Sequence, residues 1–479
     1  MRKELLALLL LAPIGALAQR QQSAQPQSLA FTHVTIIDVA ARDVAQALKP
    51  NQTVVVVGDR ISAVGAAARI PEGAQVIDAS GKFLIPGLWD MHIHSFTDNG
   101  WEWLFPLLIA NGVTGVREMG NRLPFEQINQ IRRGILEGKI LGPRYGAATA
   151  RILDGPGSQI PPSTVVETAE QARSLVRDYK QRGMDFIKPY NLLSREVYLA
   201  IIDEAKQQKI PVAGHVPLSL TAAEAADLGQ MVIDHNSDVM ISCSRDEKIL
   251  RQELLTSVRA SQPSPIGPIT IKAAATYDEQ KAAALFARFV RNGTWITPTL
   301  VITGSVPAER RREGDSRLKY IPAPTQEYWR NGYNASIRVL PNADDRKMRD
   351  RKMLEMVGLE HRTGVRLLAG TDAPNPYVFP GFSLHDELEL MVKAGLSPLE
   401  ALRTATVNPA RFLNKEKELG TVARGKLADL VLLEANPLDN INHTRRINAV
   451  VAGGRYLPTE ALQKLLAEVE TTVHRVKPR

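Results

Sequence analysis

Short β-branched and aliphatic runs open the patterned part of the chain: Val34 Thr35 Ile36 Ile37, Thr53 to Val57 and Ile61 Ser62 Ala63 Val64, divided by Asn51 and the turn pair Gly58 Asp59. Runs of this kind bounded by turn formers predict β-strands. The same texture returns near the other end, in Ala428 to Leu433 and in Ala449 to Ala452 before Gly453 Gly454. Two β-rich ends around a different middle predict one small β-sandwich domain built from residues 29–83 and 414–479, the latter ending in a helix. Between residues 84 and 413 apolar strands alternate with amphipathic helices, an α/β pattern of parallel strands joined by helical crossovers. The strands expected are Leu84 to His94, Val113 to Met119, Arg144 to Ile152, Phe186 to Tyr190, Val212 to Val216, Val232 to His235, Trp295 to Ile302 and Val365 to Thr371. Eight such units fit a (β/α)8 TIM-like barrel. No Gly-x-Gly-x-x-Gly turn follows any of them, which counts against a dinucleotide-binding fold. The 61 residues between His235 and Thr297 predict an excursion, spanning 236–296, over the barrel mouth.

The first eighteen residues differ from all of this. Arg2 and Lys3, an apolar run from Leu5 to Leu17 and the small-x-small end Ala16 Leu17 Ala18 have the composition of a cleavable signal peptide, with cleavage after Ala18. The run is shorter than the roughly 20 residues that span a bilayer. Residues 19–28, rich in Gln and Ser, are expected to be a flexible leader. The mature protein is therefore expected to be periplasmic or secreted, without a membrane span. In the 479-residue chain, 59 Lys+Arg stand against 51 Asp+Glu, a formal charge of +8, and the basic residues are interleaved with acids. That distribution does not favour a nucleic-acid partner. The single Cys243 permits no internal disulfide and no Cys-based zinc site, so any metal must be held by His, carboxylate or a modified side chain.

Four of the nine histidines fall at the C-terminal ends of expected strands, where barrel active sites are built. His92 and His94 are two apart and share a strand face. His215 and His235 end two further apolar strands, and Asp372 ends the eighth. A lone strand-end histidine is usually structural, but three strands converging on His and a fourth on Asp point to a metal site. Lys188, in Asp185 Phe186 Ile187 Lys188 Pro189, ends the fourth strand and aims at the same mouth. An ammonium there would repel the cations the histidines gather. Reaction of the neutral amine with carbon dioxide would remove the conflict, giving a carbamate whose oxygens can bridge two metal ions.

His92-x-His94, Lys188, His215, His235 and Asp372, in that strand order, resemble the binuclear carboxylated-lysine sites of the amidohydrolase superfamily. Thr404 to Ala410 and Gly425 to Val431 also match the end of that barrel and its return into the β-domain. The branch most similar is the imidazolonepropionase-like group, with its Xaa-Pro and Xaa-Lys/Arg dipeptidases and ochratoxin-cleaving amidases. The resemblance implies that His92, His94, Lys188 (as N6-carboxylysine) and Asp372 hold the more buried ion, and Lys188, His215 and His235 the more exposed one. Zn2+ is the preferred ion for such ligands. It further implies amide hydrolysis of a dipeptide or N-acyl amino acid, with a hydroxide bridging the ions as nucleophile and Asp372 carrying its proton to the leaving amine. A lactonase, phosphotriesterase or cyclic amidase could use the same ligands. Deaminases of the superfamily need a glutamate three residues after the fifth-strand histidine, and position 218 is leucine. A metal-free relative would normally have lost ligands, and all six are present.

Other residues have weaker claims. Tyr190, two past Lys188, shares its face and could donate to the carbonyl or to a substrate carboxylate, or merely pack. Arg117 could bind a substrate carboxylate or pair with a neighbouring acid. Gly155 Pro156 Gly157 reads as a turn, because no Gly-Lys-Ser/Thr follows. His385 begins a helix away from any strand end and reads as structural. The partner expected is a small-molecule substrate; no motif decides whether copies of the chain form a homo-oligomer.

Overall fold

The structure, a computed structural model, describes residues 28–96, 100–158, 163–261, 265–302, 314–339 and 342–475. The expected export signal and nearly all of the leader lie outside the described residues. Among the described residues seventeen strands run in chain order: β1 (Ser28–Ile37), β2 (Leu48–Val57), β3 (Arg60–Gly65), β4 (Gln75–Asp78), β5 (Phe83–Pro86), β6 (Leu88–Ile93), β7 (Val113–Glu118), β8 (Arg144–Ala148), β9 (Ile152–Asp154), β10 (Ser163–Val165), β11 (Ala213–Gly214), β12 (Val232–Asp234), β13 (Trp295–Thr297), β14 (Arg366–Leu367), β15 (Leu430–Leu433), β16 (Ile447–Ala452) and β17 (Arg455–Pro458).

The two β-rich ends meet in one sheet. Its order is β17-β16-β15-β5-β1-β2-β3, with β4 also on β1. The seam is the antiparallel pair β15 and β5, in which Leu432 faces Leu84 and Val431 faces Ile85. Phe31, Val54, Val56, Ile61, Leu84, Leu430, Leu432 and Val451 form a core on this sheet, which explains why both ends carry β-branched and aliphatic runs.

Among the described residues the strands of the middle are parallel, in a three-stranded sheet β6-β7-β8, a four-stranded sheet β11-β12-β13-β14 and the short pair β9-β10. Every residue of β6 and β7 is buried, as in parallel strands covered on both faces. Backbone bonds link the two larger sheets on both sides. Asp185 N donates to Ala148 O (2.9 Å) and Ile187 N to Pro211 O (2.9 Å), so the segment carrying Lys188 lies between β8 and β11. Beyond β14, Met91 N donates to Ala369 O and His94 N to Ala373 O, each at 2.8 Å.

Several expected strands need revision: that over Arg144 to Ile152 is broken between β8 and β9, and those over Val212 to Val216 and Val365 to Thr371 shrink to the two-residue β11 and β14. The strand expected over Leu84 to His94 is two strands divided at Gly87, and β5 belongs to the sheet of the chain ends. A Cβ at Gly87 would lie 1.9 Å from Thr114 Oγ1, so only glycine passes there. The strand expected over Phe186 to Tyr190 is reduced to bridges at Ile187 and Pro189, since Pro189 has no N–H to give a ladder. The run expected over Trp295 to Ile302 stops at Thr297, where Pro298 follows and Thr299 takes φ 48°.

The connection from β12 to β13 is helical, through Asn236–Ser242, Glu247–Arg259, Ile266–Ala275 and Glu279–Asn292. A second long connection, from β13 to β14, carries helices Ala323–Val339 and Ala343–Arg362, and the latter packs on Ile266–Ala275. Trp329, wholly buried, anchors the second one: its ring meets Phe379 at 5.2 Å, and Nε1 donates to Pro374 O at 3.3 Å, two residues past Asp372. Among the described residues no helix is long and apolar enough to cross a membrane.

Gly370 sets how closely the last parallel segment approaches β6. A Cβ there would sit 2.6 Å from Thr297 Cγ2 and 2.8 Å from His92 Cβ. Gly370→Ala is therefore expected to cost about 1–3 kcal/mol, as overpacking of a tight core does, and to displace His92. A thermal melt read together with metal content checks this, and an unchanged value of both would refute it.

Candidate metal centre

The six side chains picked out at the strand ends converge. Asp372 is central: its Oδ1 lies 3.2 Å from His94 Nε2 and 3.4 Å from His92 Nε2, and its Oδ2 lies 3.7 Å from His235 Nε2. Lys188 Nζ is 3.4 Å from His92 Nε2. The rings form a row, with centroids 5.7 Å apart for His94 and His92, 4.6 Å for His92 and His235, 4.7 Å for His235 and His215, and 4.0 Å for His215 and Tyr190.

What lies behind each imidazole decides what its front can do. His94 Nδ1 meets Gly120 O at 2.7 Å and His215 Nδ1 meets Asn191 Oδ1 at 2.9 Å. Both partners only accept, so both Nδ1 atoms carry the proton. His235 Nδ1 meets Thr299 Oγ1 at 2.7 Å, and that hydroxyl donates to Pro298 O at 2.8 Å, so it accepts from His235. His92 Nδ1 differs: it lies 3.3 Å from Asp234 Oδ1, an ion-pair distance without hydrogen-bond alignment. His94, His215 and His235 thus hold a proton on the outer nitrogen, and His92, His94 and His235 turn Nε2 toward Asp372, the arrangement that suits imidazole ligands of a metal. Donor atoms of His92, His235 and Asp372 lie within 4.8 Å of one another. That trio draws on ligands that the sequence resemblance divides between two ions, because the carboxylate stands between them.

Backbone strain concentrates here. His235 (φ 68°), Thr299 (φ 48°) and Asp372 (φ 62°) all adopt positive φ, rare for non-glycine residues and typical of functional positions. Asp90, fully buried, accepts from Thr371 N (3.0 Å) and Thr371 Oγ1 (2.6 Å) and so fixes the residue before Asp372. At Gly214 a Cβ would meet Lys188 Cγ at 2.8 Å, so the glycine makes room for that side chain.

The charges respond to burial and to each other. Burial pushes the imidazolium form of His235 down to about 3, helped by His92, and lowers His94 and His215 as well, His215 far below the usual histidine range. Burial also works against a charged His92, but Asp234 and Asp372 outweigh it and hold that ring above the usual value. Burial would raise Asp372, yet the surrounding imidazoles keep its carboxyl well below the ordinary carboxylate range. Lys188, 1 % exposed, is lowered by burial against the pull of Asp372 and Asp234.

Two candidates fare differently. Arg117 is fully buried; its Nη2 binds Asp234 Oδ1 (2.6 Å) and Thr297 Oγ1 (3.1 Å), and its Nε binds Met91 O (2.5 Å). It is committed to the ion pair, and the alternative of a substrate-carboxylate receptor lacks an accessible guanidinium. Tyr190 is partly exposed against His215, and among the described residues its hydroxyl has no hydrogen-bond partner. His385 is buried between Thr444 Oγ1 (2.9 Å) and Asn111 O (3.1 Å), remote from the centre. Asp234, Asn191, Thr299 and Gly120 O had no assigned role in the sequence. Only Asp234, a carboxylate on an apolar strand beside His235, carried a signal that could have been read.

A donor set of imidazole nitrogens and a carboxylate, held apart from bulk water, fits divalent ions of the zinc type. The amidohydrolase family profile matches residues 83–457. An imidazolonepropionase of Brevibacillus brevis is 21% identical over 416 residues, covering 81% of this chain and 84% of that protein. Among solved structures, a bottromycin amidohydrolase superposes with TM-score 0.72 at 23% identity, covering 94% of this chain and 91% of the other. A protein of Bifidobacterium longum assigned as a prolidase gives TM-score 0.65 at 25% identity, with 93% and 99% covered. The ochratoxinase of A. niger gives 0.62 at 18%, with 91% and 96% covered. A profile that runs from β5 into β17 takes in the strands β5, β15 and β16 where the two ends join and every residue of the His, Lys and Asp cluster, and the chain belongs to the amidohydrolase family.

Proposed function

We propose that the protein is a binuclear metal-dependent hydrolase that cleaves the amide bond of a dipeptide or an N-acyl amino acid, ochratoxin-like aryl amides included. The observation that carries this is the row of four histidines, three of them with Nδ1 hydrogen-bonded and three with Nε2 turned to Asp372, with Lys188 buried among them. His92, His94, Lys188 and Asp372 would hold one ion and Lys188, His215 and His235 the other. Lys188 serves as carbamate: its neutral amine adds carbon dioxide, forming an N–C bond and releasing one proton, so a cation becomes an anionic ligand. Two divalent ions, Zn2+ by preference, would polarise the scissile carbonyl and acidify water.

The chain's own groups do the rest. Asp372 takes the proton of the attacking water and delivers it to the leaving amine. Tyr190, its hydroxyl uncommitted, donates to the carbonyl oxygen or to the substrate carboxylate. The amide C–N bond breaks, and water supplies the hydroxyl of the acid and a proton of the amine. In this reading the bonds that join β8 through Lys188 to β11, and β14 to β6, complete an eight-stranded barrel over residues 84–413. Residues 29–83 and 414–479 make the accompanying β-sandwich, and residues 1–18 direct export to the periplasm or the exterior.

Zinc-loaded protein tested on dipeptides ending in Pro, Arg, Lys, Phe and Leu, on N-acyl amino acids, and on one lactone and one phosphotriester is expected to turn over amides only. Chelation should abolish that activity. Turnover confined to the lactone or the phosphotriester would overturn the substrate assignment while leaving the metal centre standing.

A further inference from the structure

Arg117 and Asp234 form an ion pair with no exposure on either side chain, at 2.6 Å, beneath the metal ligands. Burying two charges is costly, and apolar residues of the same volume often serve stability as well or better. This pair is also imperfect as a stabilising device, because Arg117 Nη1 and Asp234 Oδ2 have no hydrogen-bond partner, and neither has His92 Nδ1, which faces the carboxylate with nothing else to serve it. Its placement gives it another use. Asp234 Oδ1 lies 3.3 Å from His92 Nδ1, and Asp234 immediately precedes His235, so one carboxylate stands behind one candidate ligand and fixes the strand end of another. Arg117 lies between the rings of Phe186 (5.9 Å) and Phe412 (5.6 Å) and ties Met91, Thr297 and Asp234, which belong to β6, β13 and β12.

We infer that Asp234 is a positioning residue of the metal centre: it keeps the proton of His92 on Nδ1 and strengthens Nε2 as a ligand, while Arg117 holds the carboxylate in place and balances its charge. A carboxylate behind a metal-bound imidazole raises the basicity of that ligand and fixes its orientation. The inference rests on the reading of the cluster as a metal centre, and it assigns the least exposed of its four imidazoles a partner that the other three lack, since those are held by neutral oxygens.

The test uses the full chain stripped of metal, as wild type, Asp234→Asn, and the double variant Arg117→Met with Asp234→Leu, which removes both charges together. Zn2+ dissociation constants come from chelator competition, the ligand field from the visible spectrum of the Co2+ form, and fold stability from the melting temperature without metal. The expected result is a loss of about 10- to 100-fold in affinity for one equivalent of Zn2+ in both variants, with an altered Co2+ spectrum. The metal-free double variant should melt no lower than wild type. Wild-type affinity and an unchanged Co2+ spectrum in the double variant would overturn the inference, and so would recovery of both on going from Asp234→Asn to the double variant. Failure of the wild type itself to bind Zn2+ would instead remove the metal-centre reading beneath it.

Discussion

Asp372→Asn is expected to leave the fold intact and to lower turnover by about 10²–10⁴-fold, the range that a positioned general acid–base group supplies. The carboxylate lies within 3.2 to 3.7 Å of the Nε2 atoms of His92, His94 and His235, and the amide keeps its shape while losing its charge and its capacity to carry a proton. Backbone bonds should hold position 372 in place in the variant, because Asp372 N donates to His92 O at 2.7 Å and Asp90 pins Thr371. The loss should fall on kcat more than on KM, since the proton moves only in the reacting complex. Melting temperature, metal content and steady-state kinetics of purified Asp372→Asn decide the matter. Wild-type turnover in a folded, metal-loaded variant would place the base elsewhere.

Lys188→Ala should be as severe by a different route. The side chain is buried, reaches His92 Nε2 at 3.4 Å, and passes through space kept open by Gly214. Truncation to alanine leaves a hole beside the histidines and removes the one group able to become a bridging anion. The expected variant retains at most one metal ion per chain and loses nearly all activity. Acetate or propionate should restore part of both, because a small carboxylate can enter the hole and supply the missing oxygens. Lys188→Arg, which carries a permanent charge and fills the hole, should be inactive and beyond rescue. Full activity of Lys188→Ala without any added acid would end the carbamate proposal.

The cluster of candidate ligands was legible because each member is a polar letter at the end of an apolar run, a pattern local in sequence. His92 with His94, Lys188, His215, His235 and Asp372 needed no knowledge of distant contacts to be suspected. Their outer partners were not legible, for reasons that differ. Gly120 holds His94 through a carbonyl that every residue possesses, Thr299 lies beyond a strand in a loop whose path depends on a positive φ, and Asn191 faces His215 across two segments. Arg117 shows the limit of strand periodicity. Alternation puts its side chain on an inward face but does not tell whether the guanidinium sits at the mouth or, as it does, beneath the ligands on Asp234. The split of the first expected strand at Gly87 was hidden because both halves are equally apolar. The sheet of the chain ends was readable from texture alone, although its order was not. The second long connection was missed because helices Ala323–Val339 and Ala343–Arg362 look like ordinary crossovers until Trp329 is seen on the loop after Asp372.

The pairing of β5 with β15 has a consequence for how the chain is made. Leu84 finds its neighbour in Leu432 and Ile85 in Val431, so one edge of β5 stays open until synthesis has passed β15, about 350 residues later. The parallel strands of the middle can assemble during synthesis, whereas the sheet of the ends closes only afterwards, by a contact between distant parts of the sequence of the kind that slows folding. Loss of the last strands would leave β5 as an unpaired apolar edge, a surface prone to join other chains. The C-terminal segment therefore acts as the latch that completes the fold and as the cover that keeps newly made molecules apart.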